Sequence, residues 1–475
     1  MRQKLAPPDP SAVVIFGASG DLTHRKLLPA LYHLFVEGLL PASFGIVGYA
    51  RTELNNAQFR EMARDSVARF GRTEPQAEPW DEFAKGLYYV PGEFTDEGAM
   101  SHLRRHLQDL DRERGTEGRR FYYAATPPAA FPDIVARIGE EGMAERARIV
   151  IEKPFGTDLQ SARDLGRLLH EVFDESQVFR IDHYLGKETV QNILVFRFAN
   201  SLFEPLWNRR YVDHVELSVC EDIGIEGRGR FYERTGALRD MVQTHLFQVL
   251  SFLTMEPPVA FQPERLRDEK VKVFQAIADV RPEDVVRGQY RGYRDEDGVA
   301  SDSDVETFAA LRLEIDNWRW AGVPFYLRTG KRLSRRVAQA VVEFKDVPHR
   351  LFEKEGLGGV ERNRLAMRIQ PDEGIVLSFT VQAPGLGITL EQAGLDFEYG
   401  EAFEGRPLVE AYEALLLEAM HGDHTMFLRQ DGLERAWEVL DPAFRDPPPV
   451  QEYEPGTWGP AEADAMIAPR RWALL

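Results

Sequence analysis

The sequence contains a single cysteine, Cys220. One thiol allows no intrachain disulfide and no cysteine-based metal site, so no metal is expected and a reducing compartment fits. Long apolar runs are missing as well. The first apolar run, residues 12–18, is too short to cross a bilayer and lacks a signal-peptide cleavage pattern. A cytoplasmic globular protein with no membrane partner is therefore expected. Basic charge is in deficit: 58 Lys and Arg stand against 77 Asp and Glu, a formal net charge of -19. Nucleic-acid binders usually carry the opposite sign, and no nucleic-acid partner is expected. A small anionic substrate is not excluded, because a local cluster of Lys, Arg and His can oppose the global sign. Repeats and low-complexity stretches are also absent. What remains is ordinary globular composition, 43% hydrophobic and 28% charged. At 475 residues it is too long for one usual core, so two domains are expected.

The first 180 residues alternate short apolar runs with amphipathic stretches, as βαβ units do. The runs lie at 12–17, 44–49, 86–90, 120–125, 147–152 and 177–181. Between them, Phe59, Met62, Ala63 and Val67 form one helical stripe, and Phe131, Ile134, Val135 and Ile138 another. A further helix from Asp158 carries Leu159, Ala162, Leu165 and Leu169, with Thr157 and Gln160 at capping-box spacing. This pattern predicts a doubly wound parallel sheet of Rossmann type, with ligands at the carboxyl ends of its strands. Beyond residue 200 the period changes. Val215, Leu217 and Val219 alternate with Glu216, Ser218 and Cys220, the pattern of a half-exposed strand. Similar alternation recurs at 311–315, 338–344 and 375–381, and helical patterns appear at 236–255, 407–420 and 433–440. The expectation is an α/β domain over residues 1–181. An α+β domain follows over 182–475, with a large, mainly antiparallel sheet and helices on one face.

Residues 11–20 read as a strand entering the turn Gly17-Ala18-Ser19-Gly20, followed by the stripe Leu27, Leu31, Leu34 and Phe35. Glycines there let the backbone approach a pyrophosphate that the helix N-terminus stabilises. A plain β–α turn is the competing reading, and Pro29 requires a helix start or a bend. The second strand ends in Arg51, where an Arg accommodates a 2′-phosphate and an acid would bind ribose hydroxyls. This favours NADP over NAD modestly, since a solvated surface Arg has the same spacing. His245 lies on an apolar stripe with Leu238, Val242, Val249 and Phe252, which taken alone describes a core histidine before a base.

Seven segments together resemble the glucose-6-phosphate dehydrogenase family. They are GASGDLTHRK at 17–26, GYAR at 48–51, EKPFG at 152–156, RIDHYLGKE at 180–188, EGRGR at 226–230, GALRDMVQTH at 236–245 and RTGK at 328–331. They occur in the family's order across most of the chain. One departure is Thr244, where family members commonly carry Asn before the histidine.

The resemblance implies oxidation of β-glucose 6-phosphate by NADP+ to the 6-phosphogluconolactone, in a homodimer or homotetramer. It implies His245 as the base taking the C1 hydroxyl proton, oriented by Asp182, with Lys153 touching substrate and nicotinamide. His183, Tyr184 and Lys187 become phosphate ligands, which a helix beginning near Tyr184 would place one turn apart. Glu221, Asp240 and Lys331 become sugar contacts. Gly17, Ser19, Gly20, Arg51 and Tyr123 belong to the cofactor site, with Lys26 a neighbour of both ligands. Two other readings are a sugar oxidoreductase of the glucose–fructose oxidoreductase type and a non-catalytic NADP-binding regulator. The first leaves the 180–188 run unexplained, and the second should show degraded acid–base residues.

Overall fold

The structure, a computed structural model, describes residues 6–41, 43–354, 359–406 and 408–473. The chain divides into two compact units. The first holds six parallel strands, β1 (Ser11–Phe16), β2 (Phe44–Ala50), β3 (Leu87–Pro91), β4 (Arg120–Ala124), β5 (Ala147–Ile151) and β6 (Val178–Arg180). Their order is β3-β2-β1-β4-β5-β6, the doubly wound arrangement expected. The strands are nearly all apolar because helices cover both faces of such a sheet. In β1, Ala12, Val13, Val14, Ile15 and Phe16 are all buried. The order reverses between β1 and β4, so the turn after β1 stands at the switch point where such sheets bind ligands.

The helices of this unit start where side chains satisfy their free N–H groups. Asn55 and Gln58 make a reciprocal capping box on Asn56–Phe70. For Leu159–His170 the expected cap at Thr157 is displaced by one residue. Asp158 accepts from the Ser161 N–H at 2.7 Å, and the Ser161 hydroxyl takes the role expected of Gln160. Aspartate outcompetes the threonine because its carboxylate also complements the helix dipole.

A single boundary at 181/182 does not describe the units. The first runs to Lys187 and takes back Ala260–Arg267 and Val409–Leu433. The helical pattern at 407–420 therefore belongs to the first unit. It forms the helix Ala411–His421, and Pro407 lies outside the described residues. Its Glu413 is buried, with Oε1 2.9 Å from His33 Nδ1 and 3.3 Å from Arg72 Nε. A buried carboxylate needs such partners, and both come from the first unit.

The second unit is built on nine strands. They are β7 (Val212–Cys220), β8 (Val285–Tyr290), β9 (Phe308–Glu314), β10 (Pro324–Gly330), β11 (Val337–Phe344), β12 (Arg364–Gln370), β13 (Gly374–Gln382), β14 (Leu390–Glu398) and β15 (Val450–Tyr453). The order is β14-β13-β12-β11-β7-β10-β9-β8-β15. Among the described residues only β7–β10 and β8–β15 are parallel pairs. Helix Glu188–Phe198 packs on β12, and the helical stretch Leu238–Leu246 on β10. Strand β7 is not half-exposed, because its polar residues are as buried as its apolar ones. Glu216 accepts from the Ala473 N–H at 2.8 Å, and Arg328 donates to the Ser218 hydroxyl at 3.0 Å. Partners on the second face let an alternating strand be covered on both sides.

Candidate active site

In the first unit, Gly17 ends β1 with φ +83°. A Cβ there would lie 2.4 Å from the Ala125 carbonyl oxygen, so only glycine fits the turn. The Gly17 carbonyl accepts from the Gly20 N–H at 2.9 Å and from the Thr23 hydroxyl at 3.2 Å. The chain then enters a π-helical turn, Thr23–Leu27, and the helix Leu28–Val36, with Pro29 in its first turn. Gly48 supports this turn from β2, since a Cβ there would meet Ala18 Cβ at 2.9 Å. This tight approach of backbone to backbone suits a pyrophosphate at a strand-to-helix turn. Arg51 and Thr52 follow β2 and are exposed, and the Thr52 hydroxyl donates to Ser19 Oγ at 3.0 Å. Lys26 pairs with Glu410 at 3.3 Å on the surface.

Tyr123 of β4 is buried, and its hydroxyl donates to Glu152 Oε1 at 2.5 Å. Tyr412 bonds the same carboxyl, which burial nonetheless pushes above the ordinary glutamate range. Burial, then the Glu152 charge, pushes Tyr123 well above the usual phenol range. Glu152 escaped the sequence reading, although it opens the EKPFG segment. A carboxylate that follows an apolar strand directly was the available signal. Its neighbour Lys153 makes a cis peptide with Pro154.

The 180–188 run is a turn where a helix was expected, and the helix starts only at Glu188. Asp182 is the reason. Its Oδ1 accepts from the Tyr184 N–H at 2.9 Å, a side-chain bond that competes with helical pairing. The turn still gathers the predicted donors. The His183 and Tyr184 rings lie 5.2 Å apart, and Lys187 Nζ stands 5.5 Å from the Tyr184 ring.

In the second unit, β7 and β10 run parallel and end together, with Gly330 opposite Cys220. Glu221 and Lys331 follow directly and form an ion pair, and Lys331 Nζ also stands 5.8 Å from the Tyr232 ring. Lys331 is buried, so the carboxylate offsets its desolvation. The segment 236–255 is not one regular helix. Gly236 breaks it with φ +63°, and a Cβ there would meet the Glu306 carboxylate at 2.4 Å. That carboxylate accepts from the Leu238 N–H at 3.1 Å and pairs with Arg287 at 3.1 Å. From Leu238 to Leu246 the winding is π-helical, and it carries Asp240, Thr244 and His245. Such rare i→i+5 turns often occur at functional sites. Residues 241–255 are buried on every side, so the expected apolar stripe does not single out His245. The Thr244 hydroxyl donates to the Asp240 carbonyl at 3.3 Å.

A glycine turn at the switch point of a parallel sheet defines the first unit as a Rossmann-type nucleotide-binding domain. Comparison with known proteins narrows the class. Residues 14–192 match the model of the glucose-6-phosphate dehydrogenase NAD binding domain, and 194–473 that of the C-terminal domain of the same enzymes. The chain belongs to the glucose-6-phosphate dehydrogenase family. It is 45% identical to glucose-6-phosphate 1-dehydrogenase 2 of Mycobacterium tuberculosis, over 96% of this chain and 93% of the relative. It is similar to the crystal structure of the Mycobacterium avium enzyme, with TM-score 0.87, 39% identity and coverage of 98% and 99%. A glucose-6-phosphate dehydrogenase in complex with its substrate gives TM-score 0.91, 36% identity and coverage of 99% and 100%.

Proposed function

We propose that this protein oxidises D-glucose 6-phosphate at C1 to 6-phospho-D-glucono-1,5-lactone, with NADP+ as hydride acceptor. The observation that carries this reading is the full-length likeness to glucose-6-phosphate 1-dehydrogenases, with 45% identity over 96% of the chain. NADP+, when bound, supplies the hydride acceptor. Gly17, Ser19 and Gly20 would hold its pyrophosphate, and Arg51 would bind the 2′-phosphate. Tyr123 serves this site through Glu152 and Lys153, because its own hydroxyl is committed to Glu152. The residues of the 182–187 turn hold the substrate phosphate with the imidazole of His183, the phenol of Tyr184 and the ammonium of Lys187. Glu221, Asp240 and Lys331 hold the sugar hydroxyls. His245 takes the C1 hydroxyl proton, and Asp182 keeps its imidazole in the accepting tautomer and stabilises the cation that forms. Lys153 orients the substrate.

The first unit then holds the coenzyme and, through its 182–187 turn, the substrate phosphate, while the second supplies the sugar contacts and the base and associates into a cytoplasmic homodimer or homotetramer. Leu395, 62% exposed on β14, and the neighbouring half-buried Leu377 support association through the large sheet. Reduction of NADP+ and NAD+ should be followed side by side with glucose 6-phosphate, glucose and 6-phosphogluconate. Turnover with glucose but not its phosphate ester would favour a glucose–fructose oxidoreductase type of activity. No turnover with any pair would leave a non-catalytic binder.

A further inference from the structure

The second unit carries an open depression of about 1620 Å³ that the dehydrogenase reaction leaves unused. It lies where β7 and β10 begin and β9 and β11 end, the opposite end of the sheet from Glu221 and Lys331. Its lining includes five cations, Arg197, Arg209, Arg210, Arg319 and Lys345, against two acids, Glu204 and Glu256. The acids are committed. Glu204 pairs with Arg197 at 3.2 Å and with Arg319 at 2.8 Å, and Glu256 pairs with Arg319. Among the described residues Arg209, Arg210 and Lys345 have no carboxylate within ion-pair distance, and all three are exposed. Lys345 Nζ donates to the Arg209 carbonyl at 2.6 Å and ties the two loops together. Beside them Trp318 is 88% exposed, with the Arg209 guanidinium 5.2 Å from its ring. A large indole left in water next to three unneutralised cations is unusual for a chain of net charge -19.

We propose that this depression is a binding site for a nucleoside polyphosphate. The base stacks on Trp318 and the Arg209 guanidinium, and the phosphates take charge-assisted bonds from Arg209, Arg210 and Lys345. The depression is far larger than an inorganic anion needs and has room for a drug-sized ligand. The indole selects for a ring, and the three cations select for more than one negative charge. The proposal does not depend on the reaction assigned above.

Calorimetric titration of the full-length protein with ATP, tripolyphosphate and adenosine tests it. One ATP site per chain should be lost or weakened about tenfold or more by Trp318→Ala, while tripolyphosphate binding barely changes. The Arg209→Ala/Arg210→Ala double variant should weaken ATP and tripolyphosphate alike, and adenosine should bind weakest to the unaltered protein. All three side chains are exposed, so the variants should melt and turn over substrate like the parent protein. The proposal is overturned if ATP does not bind, or if both variants bind it with unchanged affinity and stoichiometry. It is equally overturned if the substitutions alter sedimentation and leave ATP binding intact, because the face is then an interface between copies of the chain.

Discussion

Arg51 stands exposed just past the end of β2, the position at which Rossmann-type domains in general distinguish NADP from NAD. Replacing it with Ala should raise the KM for NADP far more than that for NAD, since only NADP has a 2′-phosphate to lose. A charge-assisted contact corresponds to roughly a tenfold to hundredfold effect. Equal effects on both coenzymes in steady-state assays would remove Arg51 from that role. His245→Asn keeps a polar group of similar size on a buried π-helical turn but cannot accept the proton. Its kcat should fall by about 10²–10⁴ with little change in KM. Asp182→Asn should lower kcat too, and the double variant should be little worse than His245→Asn alone, because two residues of one proton-handling unit do not add. Losses that multiply would make them independent contacts. The roles proposed for these residues come from motif order alone, since burial and period assign His245 to an apolar core. The bond from Tyr123 to Glu152 depends on where β4 and β5 end side by side, which no local pattern carries.

At the scale of the element, six parallel strands could be read directly because a buried parallel strand is apolar at every position. Strand β7 misled because alternation reports side-chain type, while burial depends on whether the second face has partners for Glu216 and Ser218. The helix expected at Tyr184 failed for a local reason, the Asp182 turn. The helix Ala411–His421 was recognised as a helix but not as part of the first unit, because its partners His33 and Arg72 are remote in sequence. That helix also holds Glu418, which burial, helped by Asp423, pushes up to about 8 from 4.5. A raised carboxyl pKa means that the folded protein prefers the protonated form. Below pH 4.5 both states are protonated, and between about 4.5 and 8 the unfolded chain ionises first. Stability should therefore decline across that window. Glu418→Gln should match the parent at pH 4 and exceed it at pH 8 by something on the order of 1–2 kcal/mol, its partial exposure discounted. Thermal melts at both pH values check this, and a variant that gains nothing at pH 8 refutes it.

At the scale of the whole molecule, two units were foreseeable from length and from the change of period, but their interleaving was not. A fragment comprising residues 1–181 lacks Glu413 and the rest of the returning helix, and so leaves His33 and the apolar side of Leu28–Val36 uncovered. Such a fragment should aggregate or bind a hydrophobic dye. Adding a separately made 409–433 peptide should reduce the dye signal, and a fragment that is compact and dye-silent on its own would contradict the packing.

The same return has a consequence for biosynthesis. A nascent chain leaves the ribosome amino end first, at about 5–20 residues per second. The parallel sheet is fully translated by Arg180, yet the helix that covers His33 is still unmade. For a period of roughly tens of seconds the sheet waits with one flank open. That interval is a window for chaperone capture, and synonymous codons that slow translation between Lys187 and Val409 would lengthen it without changing one residue of the finished protein.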